Sequence, residues 1–239
     1  MKIIDLTGVA SASFEITKSI QSLVFKSDLN LDGLNDEQIS LKVISGLNGK
    51  PLEITKGFVN FKRFLLSATS GQTLGSDKEF NLVSLINLTV GGFIPLDGTT
   101  VLRVELQNLN KKAKYSFNSI QASYQTQRVH VYEAFNANKE SVAYDFDVRP
   151  FDLLLLPVLS TVTELILTYS TGLQANITIQ ELKDLMSIAN PPVYINPEGF
   201  VQQHLEDYIL FPINGISSIQ IRKEKDSSCE MFLRLNVFN

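Results

Sequence analysis

The sequence predicts an all-β protein in which one β unit occurs twice. Three observations carry this reading. Apolar residues recur with a period of two, turn residues divide the chain into more than a dozen short segments, and an ordered set of features returns about half a chain later.

Taken in order, alternating segments lie near residues 2–9, 12–26, 39–45 and 58–69. In VLRVELQ, Leu102, Val104 and Leu106 alternate with Arg103, Glu105 and Gln107, and further strands follow near 114–124 and 128–135. In SVAYDFDVR, Val142, Tyr144, Phe146 and Val148 face one way while Ala143, Asp145, Asp147 and Arg149 face the other. Strands near 152–159, 162–171, 174–179 and 208–222 lead to CEMFLRLNVFN, where Met231, Leu233, Leu235 and Val237 share a face. Two helices are expected to interrupt this pattern. Thr178-Ile-Gln-Glu181 is a capping box opening a helix with Leu182, Leu185, Met186 and Ala189 on one face, stopped at Asn190-Pro191-Pro192. Ser76-Asp-Lys-Glu79 has the same form and precedes Leu82, Val83 and Ile86 at helical spacing.

The surroundings of these boxes match. RFLLSATSG ends at Gly71 and ELILTYSTG at Gly172, 172 − 71 = 101 residues apart, and the capping residues are 178 − 76 = 102 apart. Pro95-Leu-Asp-Gly98 and Pro212-Ile-Asn-Gly215 each lead into a strand, then a charged turn, then a final alternating strand. Their offset, 212 − 95 = 117, places about fifteen extra residues of the second half within PPVYINPEGFVQQHLED. The expected division is a first unit over 1–126 and a second over 127–239.

Composition narrows the function. With 239 residues, 44% hydrophobic and 19% charged, the chain can bury a real core. A net charge of −4 disfavours coating nucleic acid, which needs many cations against phosphate. The N-terminal stretch reads as a strand, and the longest apolar run, FDLLLLPVL, is broken by Asp152 and Pro157. The single cysteine, Cys229, excludes an intramolecular disulfide framework, and the sequons at Asn87 and Asn176 read as chance without a secretion signal. Synthesis and folding in the cytoplasm are expected.

About eight strands in about 120 residues is the count of a jelly roll, two Greek keys closed into a barrel. Two tandem eight-stranded jelly-roll β-barrels, each with one short helix between late strands, resemble the double jelly-roll major capsid proteins. These belong to icosahedral viruses, often membrane-containing, including tailless bacteriophages. The resemblance covers the whole chain and rests on architecture and internal repetition. It implies a structural protein, not an enzyme, in which three copies present six barrels. Such a homotrimeric, pseudo-hexagonal capsomer would tile an icosahedral shell. The implied partners are other copies, neighbouring capsomers, a vertex or penton protein and internal membrane lipids, with no direct nucleic acid. The implied location is the virion, after synthesis in the host cytoplasm.

One stretch suggests a metal. In SDLNLDGLNDEQIS, Asp28, Asn30 and Asp32 sit at alternate positions before Gly33, as in the opening of an EF-hand, with Asp36 close behind. Position twelve from Asp28 is Ile39, not Glu, and both flanks read as strands, so this is no EF-hand. Two readings stay open: a calcium loop formed by Asp28, Asn30, Asp32 and Asp36, or a polar turn. Elsewhere catalytic chemistry is thin. His130 reads as an exposed strand residue and His204 lies in the polar insertion, so no His-x-His metal set of a cupin exists. Gly46-Leu-Asn-Gly-Lys50 is too short for a phosphate loop, and Asp145 with Asp147 reads as a solvated strand face. Cys229 reads as an inert, half-buried thiol. The basic turns at 111–114 and 222–225 could touch lipid headgroups or a neighbouring capsomer. The alternative to a capsid protein is a carbohydrate- or receptor-binding β-sandwich, from a phage fibre or spike or lectin-like; an enzyme of jelly-roll type comes after it.

Overall fold

The computed structural model describes residues 1–46, 49–69, 74–121, 128–189, 193–195, 201–203 and 207–238, with backbone alone for 193–195, 201–203 and Phe238. The chain divides into two compact units: Met1–Tyr132 with Val193–Gln202 and the end from Asn236, and Glu133–Pro192 with Gln203–Leu235.

In the first unit the strands are β1 (Lys2–Thr7), β2 (Ala12–Ile16), β3 (Ser22–Ser27), β4 (Gln38–Ser45), β5 (Leu52–Glu53), β6 (Val59–Asn60), β7 (Leu82–Asn87), β8 (Thr100–Gln107) and β9 (Lys114–Ile120), with helix α1 over Phe61–Thr69. One sheet has the order β1-β9-β3-β7 and the other β2-β8-β4-β5, with β6 beside β4. Period two explains the packing. Leu23 and Phe25 face inward opposite Ile86 and Ser84, while Leu102, Val104 and Leu106 line the facing sheet, all fully or almost fully buried. The centre is aromatic: Phe25 lies 4.6 Å from Phe61 and 5.2 Å from Phe117, centroid to centroid.

β10 (Arg128–Ala137) begins in the first unit and ends in the second. There follow β11 (Ala143–Asp147), β12 (Phe151–Pro157), β13 (Val162–Tyr169), β14 (Gln174–Ile177), helix α2 (Ile179–Ala189), the short β15 (Val193–Ile195) and β16 (Val201–Gln203), β17 (Tyr208–Pro212), β18 (Ile216–Lys223) and β19 (Cys229–Phe238). The sheets are β10-β19-β12-β17 and β11-β18-β13-β14, with β15 and β16 paired on their own. This core is mostly aliphatic, built from residues such as Leu154, Leu165, Ile219, Ile221, Met231 and Leu233. β12 is buried on both faces, with Leu153, Leu154, Leu155 and Leu156 all at 4% exposure or less. That double burial is why its sequence is a continuous apolar run instead of an alternation.

Among the described residues, leaving aside β6, β15 and β16, each unit has eight strands. In chain order they form one sheet of first, eighth, third and sixth, and one of second, seventh, fourth and fifth. Each unit places a helix between its fifth and sixth strands. The expected repeat therefore exists, but its first half was misaligned. Within RFLLSATSG the described part, residues 63–69, is helix and not strand: Phe61, Phe64, Leu65 and Ala68 fall on one helical face, and all are buried in α1. The helix expected after Ser76 is strand β7. Leu82, Ser84 and Ile86 are the buried set, a period of two, and the polar run before it is a turn in which Asp77 Oδ1 accepts from the N–H groups of Glu79 and Phe80, both at 2.9 Å. The helix starts are thus 179 − 61 = 118 residues apart, close to the 117 of the Pro-x-Asx-Gly turns. Gly71 and the stop at 190–192 lie outside the described residues.

The capping box on α2 formed as expected. Glu181 Oε2 accepts from the Thr178 N–H and hydroxyl at 2.8 Å, and the Glu181 N–H donates to the Thr178 hydroxyl at 3.2 Å. Thr178→Ala is expected to destabilise the protein by about 1 kcal/mol. Chemical denaturation should show a lower midpoint at unchanged slope.

Candidate functional site

The Asp28 loop joins β3 to β4, and its polar side chains are engaged locally. Asp28 Oδ1 accepts from the Lys114 N–H at 2.8 Å, joining the loop to the start of β9. Asn30 caps a single 3₁₀ turn over Leu31–Gly33, its Oδ1 accepting from the Gly33 N–H at 2.9 Å. Asp32 pairs with Lys62 Nζ on α1 at 3.0 Å, and the Asp36 N–H donates to Glu37 Oε2 at 3.2 Å. Among the described residues no three carboxylate, histidine or cysteine side chains are gathered for a metal ion.

The residue that organises this region is Glu37, which the sequence reading passed over. It is 3% exposed. Its Oε1 accepts from the Tyr115 hydroxyl at 3.0 Å, and that hydroxyl accepts from the Asn110 N–H at 3.0 Å. The Glu37 carbonyl accepts from the Phe61 N–H at 2.8 Å, where α1 begins. One buried residue thus joins the loop and the turn before β9 through its side chain, and the helix through its backbone carbonyl. Burial, with the neighbouring Glu37 carboxylate, pushes the Tyr115 hydroxyl pKa well up and keeps it a donor. The only sequence signal was a charged residue at the mouth of an apolar strand, which turns also supply.

The paired turns ahead of β8 and β18 are built alike but anchored differently. Gly98 and Gly215 have φ of +88° and +87°, left-handed values that favour glycine. Asp97 Oδ1 accepts from the Thr100 N–H at 2.7 Å, the Thr99 N–H at 3.0 Å and the Thr99 hydroxyl at 2.8 Å. Those bonds, with the Thr100 N–H foremost, hold the Asp97 pKa below the usual range. In the second turn the Ile216 N–H donates to the Ile213 carbonyl at 3.0 Å, and Ile216 replaces the threonine.

Other predicted residues fall as follows. His130 is not exposed: at 7% exposure it is buried on β10, with Nδ1 2.6 Å from Asn236 Oδ1. Both faces of β10 are covered there, since Val129, Val131 and Tyr132 are buried too, so alternation gave no guide. His204 lies outside the described residues, as does most of 191–207. Asp145 accepts from Gln220 Nε2 at 3.0 Å and Asp147 pairs with Arg149, which lowers the Asp147 pKa to about 2. Both are exposed on the strand face, with these partners beside them. Cys229 is fully buried rather than half-buried. Within the basic turns, Lys111, Lys112, Lys114 and Lys225 are exposed, but Lys223 is 3% exposed and donates from Nζ to the Ser227 carbonyl at 2.7 Å.

Two eight-stranded units of identical strand order, each with its helix between the fifth and sixth strands, define a double jelly roll. Solved structures of this fold match the chain end to end. The major capsid protein P2 from bacteriophage PM2 aligns with a TM-score of 0.52 and 9% identity, covering 100% of this chain and 95% of that one. The STIV MCP aligns at 0.53 and 10% identity, covering 98% and 93%. A chain of the atomic structure of Sulfolobus turreted icosahedral virus aligns at 0.56 and 10% identity, covering 100% and 90%. The chain therefore has the fold of the double jelly-roll major capsid proteins. No family model and no curated protein matches the sequence.

Two outcomes follow. Tyr115→Phe leaves Glu37 Oε1 without its donor and should cost about 1–3 kcal/mol in urea denaturation. The Asp97 pKa is depressed on folding, so its stabilisation is present above about pH 4 and fades as pH falls through its folded value. Asp97→Asn is expected to lower the thermal midpoint near neutrality and to show a shallower further loss in acid, measured by a pH series of melts.

Proposed function

We propose that this chain is a viral capsid protein, the major one of its shell, working by geometry without an active site. The observation that carries the reading is the repetition of one jelly-roll topology along a single chain of 239 residues, over nearly the whole length of known capsid chains. Three two-barrel copies would present six similar outlines around one axis. Such a trimer packs as a hexagon and tiles a flat facet of an icosahedron, with chemistry confined to contacts between copies. The partners in this reading are other copies, neighbouring capsomers and a vertex or penton protein. In this reading the exposed lysines 111, 112 and 114 would meet anionic lipid headgroups where a membrane lies beneath, or a neighbouring capsomer. The site of action is the virion, after synthesis in a host cytoplasm, and the acidic net charge suits a shell that does not coat the genome.

For the loop at Asp28, Asn30, Asp32 and Asp36, the caps and the Lys62 ion pair favour the polar turn over a calcium site.

Light scattering after size exclusion tests both readings at once. The expected result is three chain masses, unchanged when a chelator replaces calcium. A monomer at high concentration would overturn the capsomer and favour a receptor- or sugar-binding module. A trimer lost on chelation would instead assign calcium to the loop.

A further inference from the structure

Four Asx-Gly pairs occur in the chain: Asp32-Gly33, Asn48-Gly49, Asp97-Gly98 and Asn214-Gly215. Such a pair can react with itself, because glycine has no Cβ to hinder its nitrogen from reaching the preceding side-chain carbonyl. The structure restrains two of the four. The Gly33 N–H is held by the Asn30 carbonyl at 3.1 Å and by Asn30 Oδ1 at 2.9 Å, so that nucleophile is engaged. The Asp97 carboxylate is held by its three bonds to Thr99 and Thr100. Asn48 lies outside the described residues.

At Asn214 both restraints are absent. Its side chain is exposed and accepts no hydrogen bond among the described residues, and the Gly215 N–H donates none. Gly215 is tied only through its carbonyl, which accepts from the Ser170 N–H at 2.9 Å. A Cβ built on Gly215 would meet nothing within 4 Å, so solvent reaches the pair.

We propose that Asn214 is a spontaneous modification site, where deamidation places aspartate and isoaspartate in the turn between β17 and β18. The Gly215 nitrogen attacks Asn214 Cγ, a C–N bond forms, the amide C–N bond breaks, and ammonia leaves with the proton from the attacking nitrogen. Water then opens the succinimide at either carbonyl, giving Asp or isoAsp. Both products add a negative charge. IsoAsp also adds a methylene to the main chain of a turn that sets where β18 begins, making this turn a chemical clock on the age of each copy.

The test is peptide mapping by mass spectrometry after incubation of the full chain in mildly alkaline buffer, folded and in urea. The Asn214 peptide is expected to convert in the folded protein at a rate within a few-fold of that in urea, splitting into Asp and isoAsp forms. The Asp32 and Asp97 peptides are expected to isomerise only in urea. Asn214→Gln should abolish the conversion at this position. An Asn214 peptide that stays intact in the folded protein while converting in urea would falsify the proposal, as would one intact in both.

Discussion

The fold depends on one constraint: in each unit, two sheets must press together through a single shared layer of side chains. Core strands therefore keep an apolar inner face, and where the outer face meets water, as on β8 and β18 but not on β12, it is free to be polar. Outer positions are joined across strands, as where Arg103 holds Glu15 at 2.7 Å and Arg222 holds Glu164 at 2.8 Å. At the surface such pairs contribute little energy individually. Their use is to give each strand a face that water satisfies, which fixes the register, because a slip of one residue would turn the apolar set outward.

Where a strand met this constraint, the sequence showed it plainly. β8, β11 and β18 are legible because one face is at least partly exposed. The failures have physical causes. α1 is buried over seven of its nine residues, so its polar face is nearly absent and its apolar run reads equally well as a strand. β7 has a serine on its inner face and apolar Val83 and Leu85 on the other, which blurs period two into something like helical spacing. His130 stands on a strand covered on both sides. Glu37 acts through partners 24 and 78 residues away, Phe61 and Tyr115, and pairings at that distance leave no local trace. The Asp28 loop showed its composition in sequence but not its use, because caps, ion pairs and metal ligands draw on the same oxygens.

The two units differ in what closes them. α1 drives aromatic rings into its unit's core, with Phe64 meeting Tyr132 edge-on at 4.9 Å. α2 buries only Ile179 and Leu182 and leaves Ile188 83% exposed. The same topological position thus holds a core element in one unit and a surface element in the other. The strand order tolerates this because the helix lies outside both sheets, between their fifth and sixth strands.

The neighbouring first and eighth strands have a last consequence. Antiparallel β1 and β9 bring Lys2 opposite Asn118, and the Met1 amino group donates to the Ser119 carbonyl at 2.7 Å. The unit's way in and way out are therefore side by side, at one end of one sheet. A module with adjacent ends can be copied in tandem, spliced or nested without unthreading a strand. Its architecture makes doubling an easy evolutionary step, needing only a short tether.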